Sequence, residues 1–217
     1  MEIEIINCEQ TTAEWHSHRA GIPTASMFKT VMAKGRGNEP SKTRHEYLMR
    51  LVAEKMTGVA EETFKNDHMI RGQELEPEAR SWYQFETNNE VEKVGFIKRI
   101  DLAVGCSPDG LISNDGLLEI KTKLPALHLD VLVSSECPSE HLAQIQGCLW
   151  VTGRQWCDFV SYCYVPEGFE HQRLPGFIKR VYRDEEYIER IADAVKTFNE
   201  ELNALTVQLM DKYLRRA

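Results

Sequence analysis

Two short stretches of the chain carry the residue types that perform metal-dependent phosphodiester hydrolysis. They are residues 107–110 (SPDG) and residues 118–121 (LEIK). Asp109 and Glu119 offer the carboxylate oxygens that hard divalent cations prefer. A cation held there would lower the pKa of a bound water and neutralise charge on a phosphate, while Lys121 would orient that water or add positive charge. The two stretches therefore predict a magnesium-dependent hydrolase site.

The second stretch is typical of a strand, whose side chains alternate between two faces. Side chains two residues apart on a strand point to the same face. Glu119 and Lys121 should therefore lie at one site, while Leu118 and Ile120 enter the core. Each stretch also has an ordinary structural interpretation, because Pro-Asp-Gly is a common turn and Glu-x-Lys is a common exposed strand pair. Their combination with an apolar strand favours the hydrolase.

Length and composition narrow the class of protein. A chain of 217 residues suits one domain, which we expect to span residues 1–217. No apolar run approaches the roughly 18 residues that span a bilayer, and the acidic N-terminus lacks the plan of a signal peptide. The six cysteines include no C-x-x-C pair, which disfavours a zinc or iron–sulfur site and favours reduced thiols. These features predict a cytoplasmic protein with no membrane association.

The distribution of charge restricts how the chain could bind DNA. A net charge of −8 is unusual for a protein that binds DNA over its whole surface. A local basic path is still available, because several basic residues lie in one short span that is interrupted only by Glu39. They are Lys29, Lys34, Arg36, Lys42 and Arg44. The composition therefore allows binding to DNA through one restricted surface.

The pattern of apolar residues predicts helices around a sheet. Helices are predicted from a cap at Thr11 or Thr12 through Arg19, and over residues 24–33, 43–57, 69–85, 142–151 and about 188–205. Strands are predicted over residues 94–97, 102–106, 111–112, 117–120, 159–165 and 177–181. The glycines and the proline of residues 34–41 predict a flexible loop. We therefore expect an α/β (α+β) fold, with a central mixed β-sheet flanked by helices.

A series of motifs, taken in order, resembles the phage lambda exonuclease family, also called the YqaJ-type viral recombinase nucleases. The segments that carry the resemblance are residues 19–26 (RAGIPTAS), 71–80 (RGQELEPEAR), 106–111 (CSPDGL), 118–121 (LEIK) and 143–146 (AQIQ). They are distributed over most of the chain, and an ordered set is more specific than any single motif. The resemblance implies the restriction-endonuclease-like fold with its PD-(D/E)xK site.

The resemblance implies a role for each matching acidic residue. Glu76, Asp109 and Glu119 would be the metal ligands, and the backbone carbonyl of Ile120 would complete the set. Lys121 would be catalytic. The implied cofactor is Mg²⁺, with two ions per site and with Mn²⁺ as a substitute. Without the resemblance, Glu76 would be interpreted as a solvated helix acid.

The helix after the second stretch also carries an implied site residue. Gln144 would support the site by hydrogen bonding. Gln146 lies two residues further along the same helix and faces a different direction, so at most one of the two glutamines should reach the metal. The segment between Lys121 and Gln144 looks shorter than in the lambda enzyme. A wall of the DNA channel or a subunit contact is therefore expected to differ.

The resemblance further implies a pocket for a DNA end. Arg19, Ser26 and Ser107 match the positions that hold the 5′-phosphate in that family, and Arg36 matches one that contacts DNA just ahead of the cut. A guanidinium meets a phosphate as a bidentate fork, and hydroxyls add short donors. Without the resemblance, Arg19 would be interpreted as a surface charge and Ser26 as a helix residue or cap.

Together these roles imply a 5′→3′ exonuclease that acts on the ends of double-stranded DNA. Such an enzyme would release mononucleotides and leave a 3′ single-stranded overhang for recombination. The resemblance implies a ring-shaped homotrimer and a single-strand annealing protein as partner. It also implies a place in the cytoplasm of a bacterial host that carries the phage or prophage.

Two alternatives stay open at this point. The first is a sequence-specific endonuclease of the same fold, which the end-binding motif around Arg19 and Ser26 disfavours. The second is a catalytically inactive subunit that binds DNA or serves assembly. The intact set of Asp109, Glu119 and Lys121 disfavours that alternative.

Overall fold

The computed structural model describes residues 2–61, 67–163, 165 and 174–213, and these ranges contain eight strands and seven α-helices. The strands are β1 (Ile3–Ile6), β2 (Val91–Glu92), β3 (Phe96–Arg99), β4 (Val104–Cys106), β5 (Gly110–Ile112), β6 (Gly116–Lys123), β7 (Trp156–Cys163) and β8 (Phe177–Tyr182). The helices are α1 (Ala13–Arg19), α2 (Phe28–Val31), α3 (Lys42–Thr57), α4 (Asp67–Thr87), α5 (Pro125–Ser134), α6 (Ser139–Thr152) and α7 (Glu185–Tyr213). None of the helices within these ranges is long and apolar enough to cross a bilayer.

A five-stranded mixed sheet in the order β2-β5-β6-β7-β8 carries the centre of the fold. The pair β6 and β7 is parallel, and the other neighbouring pairs are antiparallel. A parallel pair requires a long crossover connection, because both strands must begin at the same end of the sheet. Here α5 and α6 form that connection. The predicted architecture, a central mixed sheet flanked by helices, is confirmed.

A second sheet of three antiparallel strands, in the order β1-β3-β4, lies next to the first in sequence. The chain leaves this sheet at the end of β4 and enters the five-stranded sheet at the start of β5. Only Ser107, Pro108 and Asp109 separate these two strands. The first predicted chemical stretch therefore lies at the junction of the two sheets.

Helices cover both faces of the five-stranded sheet, so β6 is buried on both sides. On one face, Leu118 and Ile120 pack in a cluster that includes Tyr83 of α4. On the opposite face, Leu117 belongs to the larger core, which also contains Ile145 of α6. The side chains of β6 alternate between the two faces of the sheet as the sequence predicts. It leaves Glu119 on the face that α6 covers.

Local capping explains the ends of two predicted helices. Thr12 caps α1, since its hydroxyl accepts a hydrogen bond from the Trp15 backbone at 3.3 Å. Ser41 caps α3 in the same way, and Gly58 ends α3 with a left-handed φ of 71°. These boundaries agree with the sequence to within a residue or two.

Three parts of the observed fold differ from the expectation. The helix predicted over residues 24–33 is instead a 3₁₀ turn (Ala25–Met27) followed by the short α2. The reason is that Thr24 forms a β-bridge with Gly105, so the chain enters this segment in an extended conformation. The predicted loop over residues 34–41 contains a 3₁₀ turn (Arg36–Asn38). Both β1 and α5 are present although the sequence pattern did not predict them.

The basic span expected to form a path for DNA is only partly available. The Arg44 guanidinium is buried and donates to both carboxylate oxygens of Glu201, at 2.8 and 2.9 Å. Lys42 is exposed and lies 3.5 Å from the carboxylate of Glu46 one turn later. The inclusion of Arg44 in a DNA path is therefore wrong, because this arginine joins α3 to α7.

The close approach of β4 to Phe96 generates a prediction about stability. A Cβ at Gly105 would overlap the ring of Phe96, which is fully buried and has little space to move. We expect Gly105→Ala to lower the free energy of unfolding by about 1–3 kcal/mol, the usual cost of overpacking a core. Chemical denaturation measures this change.

Gly72→Ala is the matched control. Among the described residues, a Cβ at Gly72 in α4 meets Thr122 Oγ1 alone, at 3.6 Å, which is ordinary contact. Alanine should be tolerated there, or should stabilise the helix by up to about 1 kcal/mol. Equal effects of the two substitutions would contradict the packing argument.

Candidate active site

Asp109 occupies the point at which the two sheets meet. Its backbone N–H donates to the carbonyl of Leu118 at 3.0 Å, and its Oδ2 accepts from the backbone N–H of Ile120 at 2.6 Å. The pairing of β5 with β6 runs from Gly110 opposite Leu118 to Ile112 opposite Gly116, so β5 does not reach Ile120. The Asp109 carboxylate takes the place of the missing strand there. Because the N–H and C=O of one strand residue point to the same side, the Ile120 carbonyl is directed to this edge as well.

Glu119 and Lys121 lie side by side on the face of β6 that α6 covers. The Lys121 ammonium is 2.5 Å from Glu119 Oε1. The same oxygen accepts a hydrogen bond from Gln144 Nε2 at 2.6 Å. Glu119 is only 2% exposed, so these two partners replace the water that a carboxylate would otherwise bind.

Of the two glutamines on α6, only Gln144 contacts the acidic cluster in this structure. Gln146 is buried and faces another way, where it donates to the carbonyl of Tyr182 at 2.8 Å and accepts from the backbone of Asp184 at 3.0 Å. The helical spacing predicted this separation. Gln146 therefore holds the start of α7 in place instead of supporting the cluster.

Glu76 reaches the cluster from α4 through an arginine of the same helix. The guanidinium of Arg80, one turn later, forms an ion pair with Glu76. The same Arg80 nitrogen donates to the backbone carbonyl of Asp109 at 3.0 Å. Arg80 therefore links α4 to the junction of the two sheets. Its role was not predicted, although its i, i+4 spacing from Glu76 is a signal that the sequence contains.

Burial raises the pKa values of all three acids, and repulsion by Asp109 adds to the shifts of Glu76 and Glu119. Burial raises the pKa of Glu119 to about 7; Lys121 opposes this shift, and the charge of Asp109 adds to it. Burial also raises the pKa of Asp109. For Glu76, burial and then the charge of Asp109 raise the pKa. Burial alone would lower the pKa of Lys121, but Glu119 and Asp109 outweigh it, and the net shift is upward.

The donor chemistry of this cluster fits a hard divalent cation. All of its acidic donors are carboxylate oxygens, and carboxylates that repel one another are stabilised by a shared cation. Within the described ranges, no three acidic, histidine or cysteine side chains converge closely enough to form a complete coordination shell as they stand. Each acid instead has a protein partner: Arg80 for Glu76, the Ile120 backbone for Asp109, and Lys121 with Gln144 for Glu119. A cation would have to compete with these partners.

A second polar site, which we call the end pocket, surrounds Arg19. The pocket is a cavity of about 340 Å³ whose lining includes Arg19, Thr24 and Ser26. The Arg19 guanidinium lies 3.8 Å from the centroid of the Trp15 ring and donates to Ser107 Oγ at 3.2 Å. It also approaches Thr24 Oγ1 at 3.5 Å, and that hydroxyl is 3.3 Å from Ser26 Oγ. The structure thus brings together all three residues that the sequence assigned to a DNA end.

The contacts of Ser107 leave its hydroxyl proton available. Ser107 Oγ accepts from Trp15 Nε1 at 2.9 Å and from Arg19 at 3.2 Å. A hydroxyl has two acceptor sites and one donor. With both acceptor sites engaged and no acceptor for its O–H among the described residues, Ser107 can donate to an anion. Trp15 also lines the cavity and is therefore part of the pocket.

The end pocket adjoins a second cavity at the acidic cluster. This cavity has a volume of about 370 Å³, and its lining includes Glu76, Arg80, Lys93 and Asp109. Thr11 and Gln73 line both cavities. Thr11 adopts a positive φ of 69°, a strained conformation for a β-branched residue and one that recurs at functional sites. The two cavities therefore form neighbouring parts of one groove.

Arg36 is the one predicted site residue that the structure leaves apart. It is exposed in the 3₁₀ turn Arg36–Asn38. The parts of the chain that the structure describes place it in the lining of neither cavity. Its assigned contact with DNA ahead of the cut stays a prediction.

Comparisons with known proteins show what this chain is similar to. The sequence profile of the YqaJ-like viral recombinase domain matches residues 14–155. The chain is similar to an alkaline exonuclease (LHK-Exo) from Laribacter hongkongensis, at 36% identity and a TM-score of 0.82 over 95% of this chain and 100% of that chain. LHK-Exo in complex with dAMP aligns with the same values. A phage related exonuclease from Haemophilus somnus 129PT shares the fold, with a TM-score of 0.65 at 13% identity over 84% of this chain and 95% of that chain. No curated protein matches the chain significantly.

The contact between Gln144 and Glu119 generates a second prediction. Gln144→Ala removes one of the two side chains that satisfy the buried Glu119 Oε1. We expect a loss of about 1–3 kcal/mol in the free energy of unfolding, because a buried carboxylate oxygen loses one of its two donors. Gln155→Ala is the control, since Gln155 is exposed and its side chain donates to the nearby Gly153 carbonyl at 3.2 Å, away from the cluster. Denaturation curves that shift equally for both variants would count against the supporting role.

Proposed function

The chain belongs to the YqaJ-like viral recombinase family, as its motifs predicted, and is a nuclease of the exonuclease type; from that premise we propose that it is a Mg²⁺-dependent 5′→3′ exonuclease. Its substrate would be double-stranded DNA with a 5′-phosphorylated end. It would digest one strand to mononucleotides and leave a 3′ single-stranded overhang for homologous recombination. The relative LHK-Exo binds dAMP, a deoxynucleoside monophosphate, which supports mononucleotides as the product class.

The observation that carries the proposal is the position of the end pocket beside the acidic cluster. Ser107 belongs to the pocket and Asp109 to the cluster, and only Pro108 separates them. The two cavities also share Thr11 and Gln73. A terminal phosphate in the pocket would therefore lie close to carboxylates that suit phosphodiester hydrolysis. This arrangement suits an enzyme that begins at a strand end.

The chain would supply four metal ligands and one positive charge to the reaction. Glu76, Asp109, Glu119 and the carbonyl of Ile120 would hold Mg²⁺, with two ions per site and Mn²⁺ as a substitute. Bound Mg²⁺ lowers the pKa of water and neutralises charge on the phosphate. Lys121 lies beside Glu119, where its ammonium would orient the attacking water or offset charge that develops on the scissile phosphate.

Gln144 and Arg80 would act through the ligands and not on the substrate. Gln144 fixes the rotamer of Glu119 by its hydrogen bond at 2.6 Å. Arg80 fixes the Asp109 carbonyl at 3.0 Å and pairs with Glu76. Ligands held by such partners keep their geometry during the reaction, and this preorganisation accounts for much of the catalytic power of polar sites.

The end pocket would select the substrate. A terminal phosphate carries close to two negative charges and one more free oxygen than an internal phosphate. Arg19 offers a fork of donors that matches such a group, and Ser26 and Ser107 add hydroxyls. Stacking on Trp15 at 3.8 Å holds the guanidinium in a defined plane. The pocket would therefore distinguish a phosphorylated end from a hydroxyl end.

The assembly and the partners remain proposals that rest on the family. We propose that three copies form a ring around the DNA, which would make digestion processive. A single-strand annealing protein would bind the exposed strand. Digestion would take place in the cytoplasm of a bacterial host, where a phage-type recombination enzyme encounters its DNA. Sedimentation of the purified protein tests the trimer.

Replacement of a metal ligand tests the cation site. Asp109→Asn keeps the shape of the side chain and its acceptor for the Ile120 N–H, but removes the charge. We expect the rate of DNA digestion in Mg²⁺ to fall by at least about 100-fold, because the cation loses an anionic ligand. A saturating cation stabilises a folded protein by about 2.7 kcal/mol at a hundred times its Kd, so Mg²⁺ should raise the wild-type Tm by several degrees. Asp109→Asn should reduce that rise.

Glu136→Gln is the control for the metal test. Glu136 is exposed and pairs with Lys179 at 2.8 Å, so its loss removes the same charge away from the cluster. This variant should keep both the activity and the response of the Tm to Mg²⁺. Digestion by Asp109→Asn at the wild-type rate would overturn the metal assignment.

The end group of the DNA tests the proposed direction and separates the alternatives. Linear duplex with 5′-phosphate should be digested much faster than duplex with 5′-hydroxyl, since only the phosphate satisfies the end pocket. Arg19→Ala should narrow that difference by slowing the phosphorylated substrate most. Covalently closed circles should stay intact.

Each alternative gives a different result in the same assay. A sequence-specific endonuclease would cut closed circles and would be indifferent to the end group. An inactive assembly subunit would bind DNA and release no nucleotides in Mg²⁺. Equal rates on phosphate and hydroxyl ends would exclude the 5′-exonuclease even if the metal test succeeds.

A further inference from the structure

Arg50 of α3 is a second guanidinium in the end pocket, and the motifs did not assign it any role. It lines the same cavity of about 340 Å³ as Arg19 and Ser26. The two guanidiniums are close enough that the charge of Arg50 contributes to lowering the pKa of Arg19, although burial is the larger cause and brings that pKa to about 10. Two positive charges that repel each other across one cavity favour an anion between them.

The hydrogen bonding of Arg50 is incomplete within the described residues. Its Nε is buried and has no hydrogen-bond partner there. The guanidinium lies over the ring of Tyr47, 4.9 Å from its centroid, and the Tyr47 hydroxyl accepts from the backbone of Thr24 at 3.2 Å. A buried N–H without an acceptor costs free energy. An anion in the pocket would supply the acceptor.

The acids that line the pocket do not take this place. Glu54 is buried, and its two carboxylate oxygens accept from the backbone N–H groups of Gly21 at 2.8 Å and of Glu61 at 3.1 Å. Glu61 itself is exposed, so solvent screens its charge. Glu54 therefore fixes the backbone around the pocket and leaves the donors of Arg50 for another group.

We propose that Arg50 binds the terminal phosphate together with Arg19. The two guanidiniums, each stacked on its own aromatic ring, would enclose the dianion. Arg19 lies on Trp15 and Arg50 lies on Tyr47, and each ring restricts the plane of its guanidinium. One guanidinium matches one negative charge, whereas a terminal phosphomonoester carries nearly two. Arg50 is therefore a specificity-determining residue for phosphorylated ends. This inference rests on the proposed 5′-exonuclease function.

Kinetics on paired substrates test the role of Arg50. The ratio of kcat/KM for linear duplex with 5′-phosphate to that with 5′-hydroxyl is measured for wild type, Arg50→Ala and Arg50→Lys. Arg50→Ala should lower this ratio by about tenfold or more, the effect of losing a charge-assisted hydrogen bond. Arg50→Lys keeps the charge and the stem but loses the fork, so its ratio should lie between the other two. Thermal melting of each variant verifies folding, and Arg50→Lys decides the matter if Arg50→Ala does not fold.

Arg190→Ala is the matched control. Arg190 is an exposed arginine of α7 that also lies 4.9 Å from the centroid of a tyrosine ring, that of Tyr187. Its loss removes the same charge and the same kind of stacking away from the pocket, so the ratio should not change. A wild-type ratio near one would refute the proposed function itself. A high wild-type ratio that both Arg50 variants retain would refute only the role of Arg50.

Discussion

One hydrogen bond, from the backbone N–H of Ile120 to the carboxylate of Asp109, holds the site together. It measures 2.6 Å and closes the edge of β6 where β5 no longer provides a partner. Without it, a backbone donor would be left unsatisfied, at a cost of about 1–3 kcal/mol where water is excluded. Arg80 extends the connection, because it donates to the Asp109 carbonyl and pairs with Glu76. Asp109, which is assigned to the metal, thus also joins α4, β5 and β6. The fold and the proposed chemistry therefore depend on the same residue.

The acids of the cluster are held in place at a cost in stability. Glu119 is 2% exposed, and burial raises its pKa to about 7. A core built for stability alone would place an apolar residue there, since Leu117 and Ile145 surround this face with apolar atoms. Lys121 and Gln144 offset part of the cost. Such local conflict within an otherwise consistent core is typical of functional sites.

The sequence predicted those parts of the structure that depend on neighbouring residues. The strand period placed Glu119 and Lys121 on one face, and local capping signals located the ends of α1 and α3. Contacts between distant residues were not predictable in this way. Arg19 meets Ser107 across 88 positions, and no period or cap encodes that distance; only the family resemblance suggested it. The helix α5 was missed because its apolar side chains do not share one buried face: Leu127, Leu129 and Val133 are 54%, 45% and 85% exposed. By contrast, β1 was missed although Ile3, Glu4 and Ile5 alternate in polarity as a strand does.

The connection between the two sheets has a consequence for the length of the product. Ser107 contacts Arg19 in the end pocket, Asp109 belongs to the acidic cluster, and only the buried Pro108 lies between them. Residues two apart span at most about 7 Å between their Cα atoms, and proline fixes its own φ. The Pro108 carbonyl also accepts from Gln10 at 3.2 Å, which holds the connection in place. For an enzyme that works as proposed, this short segment fixes the distance between the bound strand end and the scissile bond. The size of the fragment removed in each cycle would then be set by covalent geometry and not by the sequence of the DNA.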